Sequence, residues 1–392
     1  SHSVQIELTE WAKQRTASGK ADIKIRIVKG ANLAMETVEA SMHHWPLTTY
    51  ASKLEVDANY KRMVHYGCRP ENARSARLGI ASHNLFEVAY SLLLRTREGV
   101  EEFVEVEMLE GMANHQARAV QAISGGMIRY APVVKKEDFH SAISYLVRRL
   151  DENTHEENFL HDIFGMQPGC PKWTKQKAMF LAACEIKDSV QDTPNRVQDR
   201  ANETFAADHQ KTFHSSPDTD WSLRGNELWI TAKIEAMRDA EHPTVPLQIG
   251  GETRITSTLG QGIDPSRNSP IYKYSLADAD DVQKALDCAE QAQPAWEAKS
   301  IEARSKILKD VGAEMERQRG NSIAIMVLEA GKAIPEGDSE ISEAIDFANY
   351  YANSLSWDGM ADGSEFKALG TVVITPPWNF PFAIPCGGIL AA

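Results

Sequence analysis

Ile23-Lys24-Ile25-Arg26-Ile27-Val28, followed by Lys29-Gly30-Ala31-Asn32, decides how the first part of this chain is read. β-Branched and charged residues alternate through the first five positions, the pattern of a strand with one packed and one polar face. Gly30 then lets the backbone turn sharply. Upstream, Ile6, Trp11 and Ala12 among polar residues predict a short helix over 5–16 that ends near Gly19. Downstream, a helix over 56–66 is followed by a repeat of the same signals. Residues 77–84 read as strand into loop and 85–96 as helix. Residues 103–108 read as strand and 114–123 as helix; 127–133, closed by Pro132, read as strand and 136–153 as helix.

Four strand-then-helix units in succession predict an α/β unit with a parallel sheet and helices outside, because parallel neighbours need a crossover connection. A closed barrel of this type has eight units, so four make half of one, and its site forms at the carboxyl ends of the strands. From about 165 to 246 the pattern loosens into a linker with helical pieces over 175–190 and 226–238. After Pro246 the texture changes again. Short strands over 247–249 and 253–258 and a turn at Asp264-Pro265-Ser266 precede a helix capped by Asp278 or Asp280 and running to Trp296. Helices over 301–319, 322–328 and 340–354 follow. The run 370–375 then reads as a buried strand opening into Pro376-Pro377-Trp378-Asn379-Phe380-Pro381.

At 392 residues the chain exceeds what one hydrophobic core serves, so two or three structural units are expected. Its 42% hydrophobic and 25% charged residues place it among ordinary globular chains. A net charge of -13 opposes a field attractive to nucleic acid, which is therefore excluded as a partner. No apolar run approaches the roughly 20 residues that span a bilayer, and Ser1-His2-Ser3-Val4 opens no signal peptide, so a cytoplasmic chain is expected. Cys68, Cys170, Cys184, Cys288 and Cys386 are scattered singly, which predicts reduced thiols rather than a disulfide framework. His43-His44 and His140 lack metal-ligand spacing, so no metal is expected. Gly260-Gln261-Gly262 has no strand before it and no helix after it, and fails as a dinucleotide fingerprint. Asn202-Glu203-Thr204 matches a glycosylation acceptor without relevance to a cytoplasmic chain.

Tyr145, Arg148, Arg149 and Glu152 fall at i, i+3, i+4 and i+7 of one helix and share a face. Two arginines beside a tyrosine make a fork that can hold a planar carboxylate. Spacing alone equally allows a solvated face with paired charges. Arg26 and Lys29 end a strand, where a barrel presents its ligands, and suit an electron-rich ring or a phosphate. His83-Asn84 occupies the corresponding position one unit later, as ligand contact or as a capped loop.

Taken in order, Arg26-Ile27-Val28-Lys29-Gly30-Ala31-Asn32, Ser82-His83-Asn84, Gly111-Met112, Tyr130-Ala131-Pro132-Val133 and the stretch from Tyr145 to Asn153 resemble the second half of the proline dehydrogenase barrel of the proline utilization A family. Gly331-Lys332, Glu343-Ala344-Ile345-Asp346-Phe347 and Pro377-Trp378-Asn379-Phe380-Pro381 resemble the start of that family's glutamate semialdehyde dehydrogenase unit. The resemblance implies half of a (β/α)8 TIM-like barrel over 1–165, a helical linker over 166–245, and the N-terminal part of a Rossmann-type aldehyde dehydrogenase domain over 246–392.

It further implies that Arg26, Val28, Lys29, Gly30 and Ala31 line the isoalloxazine of FAD and that Ser82, His83 and Asn84 meet the rest of that cofactor. Arg148 and Arg149 would hold the carboxylate of L-proline, with Tyr130, Tyr145 and Glu152 around its ring. Hydride transfer to FAD would give pyrroline-5-carboxylate, which opens to glutamate semialdehyde, and the electrons would pass to a membrane quinone, placing the protein at the inner membrane's periphery. In the second unit Thr375, Pro376, Pro377 and Trp378 would lie beside NAD. Asn379 would stabilise the oxyanion formed when a cysteine attacks the aldehyde.

The chain departs from the family at Asn32, where an aromatic residue is common, and at Glu110, in place of a histidine before Gly-Met. It lacks the first barrel half, the catalytic cysteine and the general-base glutamate, so a fragment, or a portion completed by a homo-oligomer or a complementing chain, is expected. Such a fragment would not oxidise semialdehyde on its own. Cys386, expected on one helix with Asn379, is too near it to be the nucleophile. Two other readings stay open: a non-catalytic assembly piece, and an aldehyde dehydrogenase with an unusual N-terminal extension.

Overall fold

The computed structural model describes residues 2–30, 33–207, 212–354, 363 and 367–392, without the side chain of Glu152. It divides into two units, Ser1–Ala40 with Pro46–Arg196 and Ser41–Trp45 with Val197–Ala392.

In the first unit α1 (His2–Ala17) precedes β1 (Ile23–Ile27), and α2 (Leu33–Met42), α3 (Lys53–Gly67) and the short α4 (Pro70–Ala73) lead to β2 (Ala76–Ala81). Then come α5 (Leu85–Glu98), β3 (Val104–Leu109), α6 (Asn114–Ser124), β4 (Ile128–Tyr130) and α7 (Phe139–Glu152), with α8 (Phe159–Asp162) and α9 (Pro171–Ile186) after them. The four strands form one parallel sheet in chain order, as the alternation predicts.

Register explains the two faces. Ile25 pairs with Leu78 and Leu78 with Val104, while Ile27 pairs with Ile80 and Ile80 with Val106. Ile27, Leu78, Ile80 and Val104 pack with Tyr60, Val64 and Cys68, and Val106 and Met108 pack with Val88, Ala117 and Val120. Each such side chain contributes about 1.5–3 kcal/mol of burial, against the entropy of ordering it. The intervening positions, Lys24, Arg26, Gly79, Glu105 and Glu107, fall on the opposite face.

Local chemistry sets the boundaries. α3 begins three residues earlier than expected because Ser52 and Glu55 form a reciprocal capping box. Asn84 caps α5 by accepting from the amide of Phe86, and Gly99, at φ +65°, ends it. β4 stops at Tyr130, short of the expected 133, since Pro132 cannot donate to a ladder. α2 was not expected; its Leu, Ala, Met and Glu are strong helix formers.

The second unit contains α10 (Arg224–Asp239), the antiparallel pairs β5 (Leu247–Ile249) with β6 (Glu252–Arg254) and β7 (Leu259–Asp264) with β8 (Ser269–Ser275), then α11 (Ala279–Glu297), α12 (Ile301–Ala330), α13 (Ile334–Ser354) and α14 (Ala383–Ala391). Its core joins Ile230 and Ile234 to Ile323, Met326, Ile341 and Ile345. Three expectations are corrected here. Helices 301–319 and 322–328 are one continuous α12 through Gly320, where a Cβ would meet the Trp229 ring at 2.6 Å. The strand expected over 253–258 ends at Arg254. The strand expected over 370–375 does not form: Val372 and Val373 are exposed, and no described strand lies alongside to supply a ladder.

Arg319, 1% exposed, ties α12 to α13 and to the segment before α10. It pairs with Asp338 at 2.8 Å and Glu316 at 2.8 Å and donates to Ser216 Oγ at 2.9 Å. Asp338 also accepts from the backbone N–H of Thr219 at 2.6 Å, and Glu316 from Arg200 at 2.8 Å. Among the described residues no helix is long and apolar enough to cross a membrane.

Candidate functional site

The polar face of the sheet carries a charged ladder. Lys24 pairs with Glu105 at 2.6 Å and with Glu107 at 3.0 Å, and Arg26 Nε donates to the other oxygen of Glu107 at 2.7 Å. Gly79 makes this approach possible, because a Cβ there would stand 2.2 Å from Glu107 Oε1. Glu107 is 5% exposed and holds Arg26 in the carboxyl half of β1 and Lys24 nearer its start.

From Arg26 a row of side chains leads to α7. The Arg26 guanidinium lies 5.2 Å from the centroid of Tyr130, Tyr130 and Tyr145 are 6.3 Å apart, and the Arg149 guanidinium lies 5.4 Å from Tyr145. The structure therefore brings together Arg26, Tyr130, Tyr145 and Arg149. Arg148 is exposed on the same helix. The α7 backbone extends through Glu152, whose side chain lies outside the described residues.

Lys29 goes elsewhere. Its ammonium meets Asp57 at 2.5 Å and Glu87 at 3.0 Å, while Lys61 reaches the same oxygen of Glu87 at 2.6 Å and Lys53 meets Asp57 at 2.5 Å. Burial opposes the charge of Lys29, but Glu87 and Asp57 outweigh it and hold its pKa above the ordinary lysine value. Burial prevails at Lys61, whose pKa is lowered despite Glu87. Sequence reading placed Lys29 with Arg26; the structure turns it toward α3 and α5.

Ser82, His83 and Asn84 form the turn from β2 into α5. Ser82 Oγ accepts from the amide of Asn84, Asn84 Oδ1 from that of Phe86, and His83 Nε2 from that of Leu109 at 3.0 Å. Burial depresses the His83 pKa, keeping the ring neutral as that accepted bond requires. Its Nδ1 is buried with no hydrogen bond among the described residues. Val28 is exposed, and Gly30, at φ +82°, has open space where a Cβ would project. Ala31 and Asn32 lie outside the described residues. An exposed guanidinium and an unfilled glycine corner at the end of β1, with an orphaned imidazole nitrogen after β2, fit a flavin nucleotide, which needs cationic and hydrogen-bonding contacts.

In the second unit Thr375, Pro376, Pro377, Trp378 and Asn379 are exposed in the segment before α14. Asn379 precedes the helix that carries Cys386, correcting the expectation that both share it. Burial, reinforced by the charge of Glu340, raises the Cys386 pKa and opposes a thiolate there. The exposed Trp378 and prolines can form one wall for a dinucleotide; the described residues show no phosphate cradle beside them.

Sequence reasoning missed Glu107, Lys24 and Glu105, although opposite charges alternating in 23–28 and 103–108 were the available signal for cross-strand pairing. It also missed Glu87, Asp57 and Lys61, and Glu340, whose partners are distant in sequence.

The family model for proline dehydrogenase matches residues 1–162, and that for the aldehyde dehydrogenase family matches residues 255–392. A 1-pyrroline-5-carboxylate dehydrogenase of Staphylococcus haemolyticus is 34% identical over 192 residues, covering 46% of this chain and 37% of the relative. The solved structure of proline utilization A from Corynebacterium freiburgense is 34% identical with a TM-score of 0.69, covering 100% of this chain and 34% of that one. That of proline utilization A from Bdellovibrio bacteriovorus, inactivated by N-propargylglycine, is 26% identical with a TM-score of 0.77, covering 100% of this chain and 39% of that one. The chain thus spans between a third and two-fifths of these relatives. With a proline dehydrogenase segment followed by an aldehyde dehydrogenase segment, the chain is similar over its whole length to proline utilization A proteins, which join the two.

Proposed function

We propose that the protein carrying this chain oxidises L-proline to pyrroline-5-carboxylate and then glutamate semialdehyde to glutamate. The row Arg26, Tyr130, Tyr145 and Arg149 is the observation that carries the reading. It sets a cation and two aromatic rings between the strand ends and a helix with paired arginines, a combination suited to a small amino acid with a carboxylate. Bound FAD and NAD would supply the two hydride acceptors. Arg148 and Arg149 hold the substrate carboxylate, Tyr130 and Tyr145 pack against its ring with Glu152 beside them, and Arg26 directs positive charge toward the flavin.

Val28, Lys29, Gly30, Ala31, Ser82, His83 and Asn84 form the flavin end of the site, with Lys29 acting from within its carboxylate cluster. In the second unit Thr375, Pro376, Pro377 and Trp378 flank the dinucleotide, and the Asn379 amide donates to the oxyanion. The matched stretches 1–162 and 255–392 support a barrel segment over 1–165, a linker over 166–245 and a dehydrogenase segment over 246–392. A membrane quinone is the electron acceptor, reached from the membrane surface. The protein associates as a homo-oligomer or with a complementing chain.

Anaerobic addition of L-proline to the flavin-loaded protein tests the reading. Loss of the visible absorbance of oxidised flavin is expected with proline and not with glycine; an unchanged spectrum contradicts it.

A further inference from the structure

The aldehyde-oxidising half of that reading rests on Asn379, yet Asn379 lies in an exposed, proline-rich segment with no ladder to hold it. Such a donor is useful only if its position is fixed before the reaction. Pro381 fixes one φ but removes one backbone donor, leaving few groups by which the segment can be anchored.

The anchor comes from α13. Glu340 is 2% exposed, and its Oε1 accepts from the backbone N–H of Phe382 at 2.7 Å and of Ala383 at 3.0 Å. These amides lie at the start of α14, where N–H groups lack intrahelical partners and the helix dipole favours a negative charge. Phe382, the N-cap, supplies no side-chain cap of its own. The other oxygen, Oε2, is engaged by Lys332, whose ammonium lies 4.7 Å from the centroid of Phe380. One buried carboxylate thus holds the chain three and four residues after Asn379, and through Lys332 touches the residue immediately after it.

We propose that Glu340 is a positioning residue for semialdehyde oxidation: it caps α14 and, with Lys332, fixes the 377–382 segment so that the Asn379 amide meets the developing oxyanion. This inference rests on the proposed role of Asn379. Glu340 touches neither aldehyde nor dinucleotide, so its loss acts through the 377–382 segment, on turnover through Asn379 and on coenzyme affinity through Pro377 and Trp378.

The test compares Glu340→Met, Glu340→Gln and Asn379→Ala in the full-length protein, measuring NADH formation from the semialdehyde and, on the same preparations, proline oxidation as a check of folding. Glu340→Met is expected to lower kcat by about tenfold to a hundredfold, with a smaller rise in the KM for NAD through Pro377 and Trp378. Glu340→Gln keeps an acceptor oxygen for both amides and should restore kcat to within about threefold of the parent. A wild-type kcat in Glu340→Met beside a slow Asn379→Ala overturns the positioning role alone. A wild-type rate in Asn379→Ala overturns the reading beneath it, and the inference with it. Should Glu340→Met fail to fold, amide exchange in the unmodified protein decides: slow exchange at Phe382 and Ala383 supports the cap, and exchange as fast as in free peptide overturns it.

Discussion

The guanidinium of Arg26 stands over the ring of Tyr130 at 5.2 Å while its Nε donates to Glu107 at 2.7 Å, so one side chain links β1, β3 and β4. Glu107 pairs with both Arg26 and Lys24. Glu107→Gln keeps the shape and removes the charge, leaving Arg26 without its carboxylate and Lys24 with Glu105 alone. A loss of about 1–2 kcal/mol is expected, less than for a fully buried pair because both cations reach solvent. The urea midpoint measures it; an unshifted midpoint contradicts the role given to this ladder.

Arg148 and Arg149 carry the carboxylate claim. Each lost charge-assisted bond removes about 1.5–3 kcal/mol, so replacing both by Met should raise the KM for proline by at least about a hundredfold. Flavin content of the purified variant should match the parent, since Arg26 and His83 are untouched. Unchanged proline kinetics would reject the assignment.

His83 predicts a pH dependence. Its folded pKa is depressed by burial, so the unfolded chain takes up a proton first as pH falls. The stability it contributes is therefore present above the ordinary histidine value of about 6.5 and is lost as pH falls below it. His83→Gln retains an acceptor for the Leu109 amide and cannot titrate. Thermal unfolding followed from neutral pH downward should show a shallower loss of Tm in the variant, with His2 and His65, also depressed by burial, and the lowered carboxyls of Asp57, Asp162 and Glu316 contributing to the remainder. Parallel curves would refute the assignment.

Cys386 should be a poor nucleophile, because burial and Glu340 raise its pKa. Iodoacetamide at neutral pH is expected to label it slowly, and Cys386→Ser should leave semialdehyde oxidation intact. Rapid labelling accompanied by loss of that activity would make Cys386 the nucleophile and revise the second site.

Much of this architecture was legible because it is local. The alternation in 23–28 and 103–108 fixes which residues face the core, and Asn84 and Gly99 punctuate α5 by side-chain and φ requirements alone. Register was needed for the rest. Glu107 reaches Arg26 across a Gly79 whose missing side chain looks incidental until β1, β2 and β3 are aligned. The strand expected over 370–375 failed for the converse reason, since an apolar run becomes a strand only when a neighbour accepts its ladder. Lys29 was misdirected because sequence order says that it follows Arg26 and not that Glu87 and Asp57 wait on α5 and α3.

The most direct measurement supplies L-proline, a soluble quinone and NAD to the full-length protein and follows NADH. NADH formation is expected to depend on proline and on the quinone, to be lost in the Arg148→Met/Arg149→Met variant at proline concentrations near the parent KM, and to be restored to that variant by added glutamate semialdehyde. NADH formation at the parent rate in the double variant on proline alone, or none from the parent protein with either substrate, would contradict this expectation.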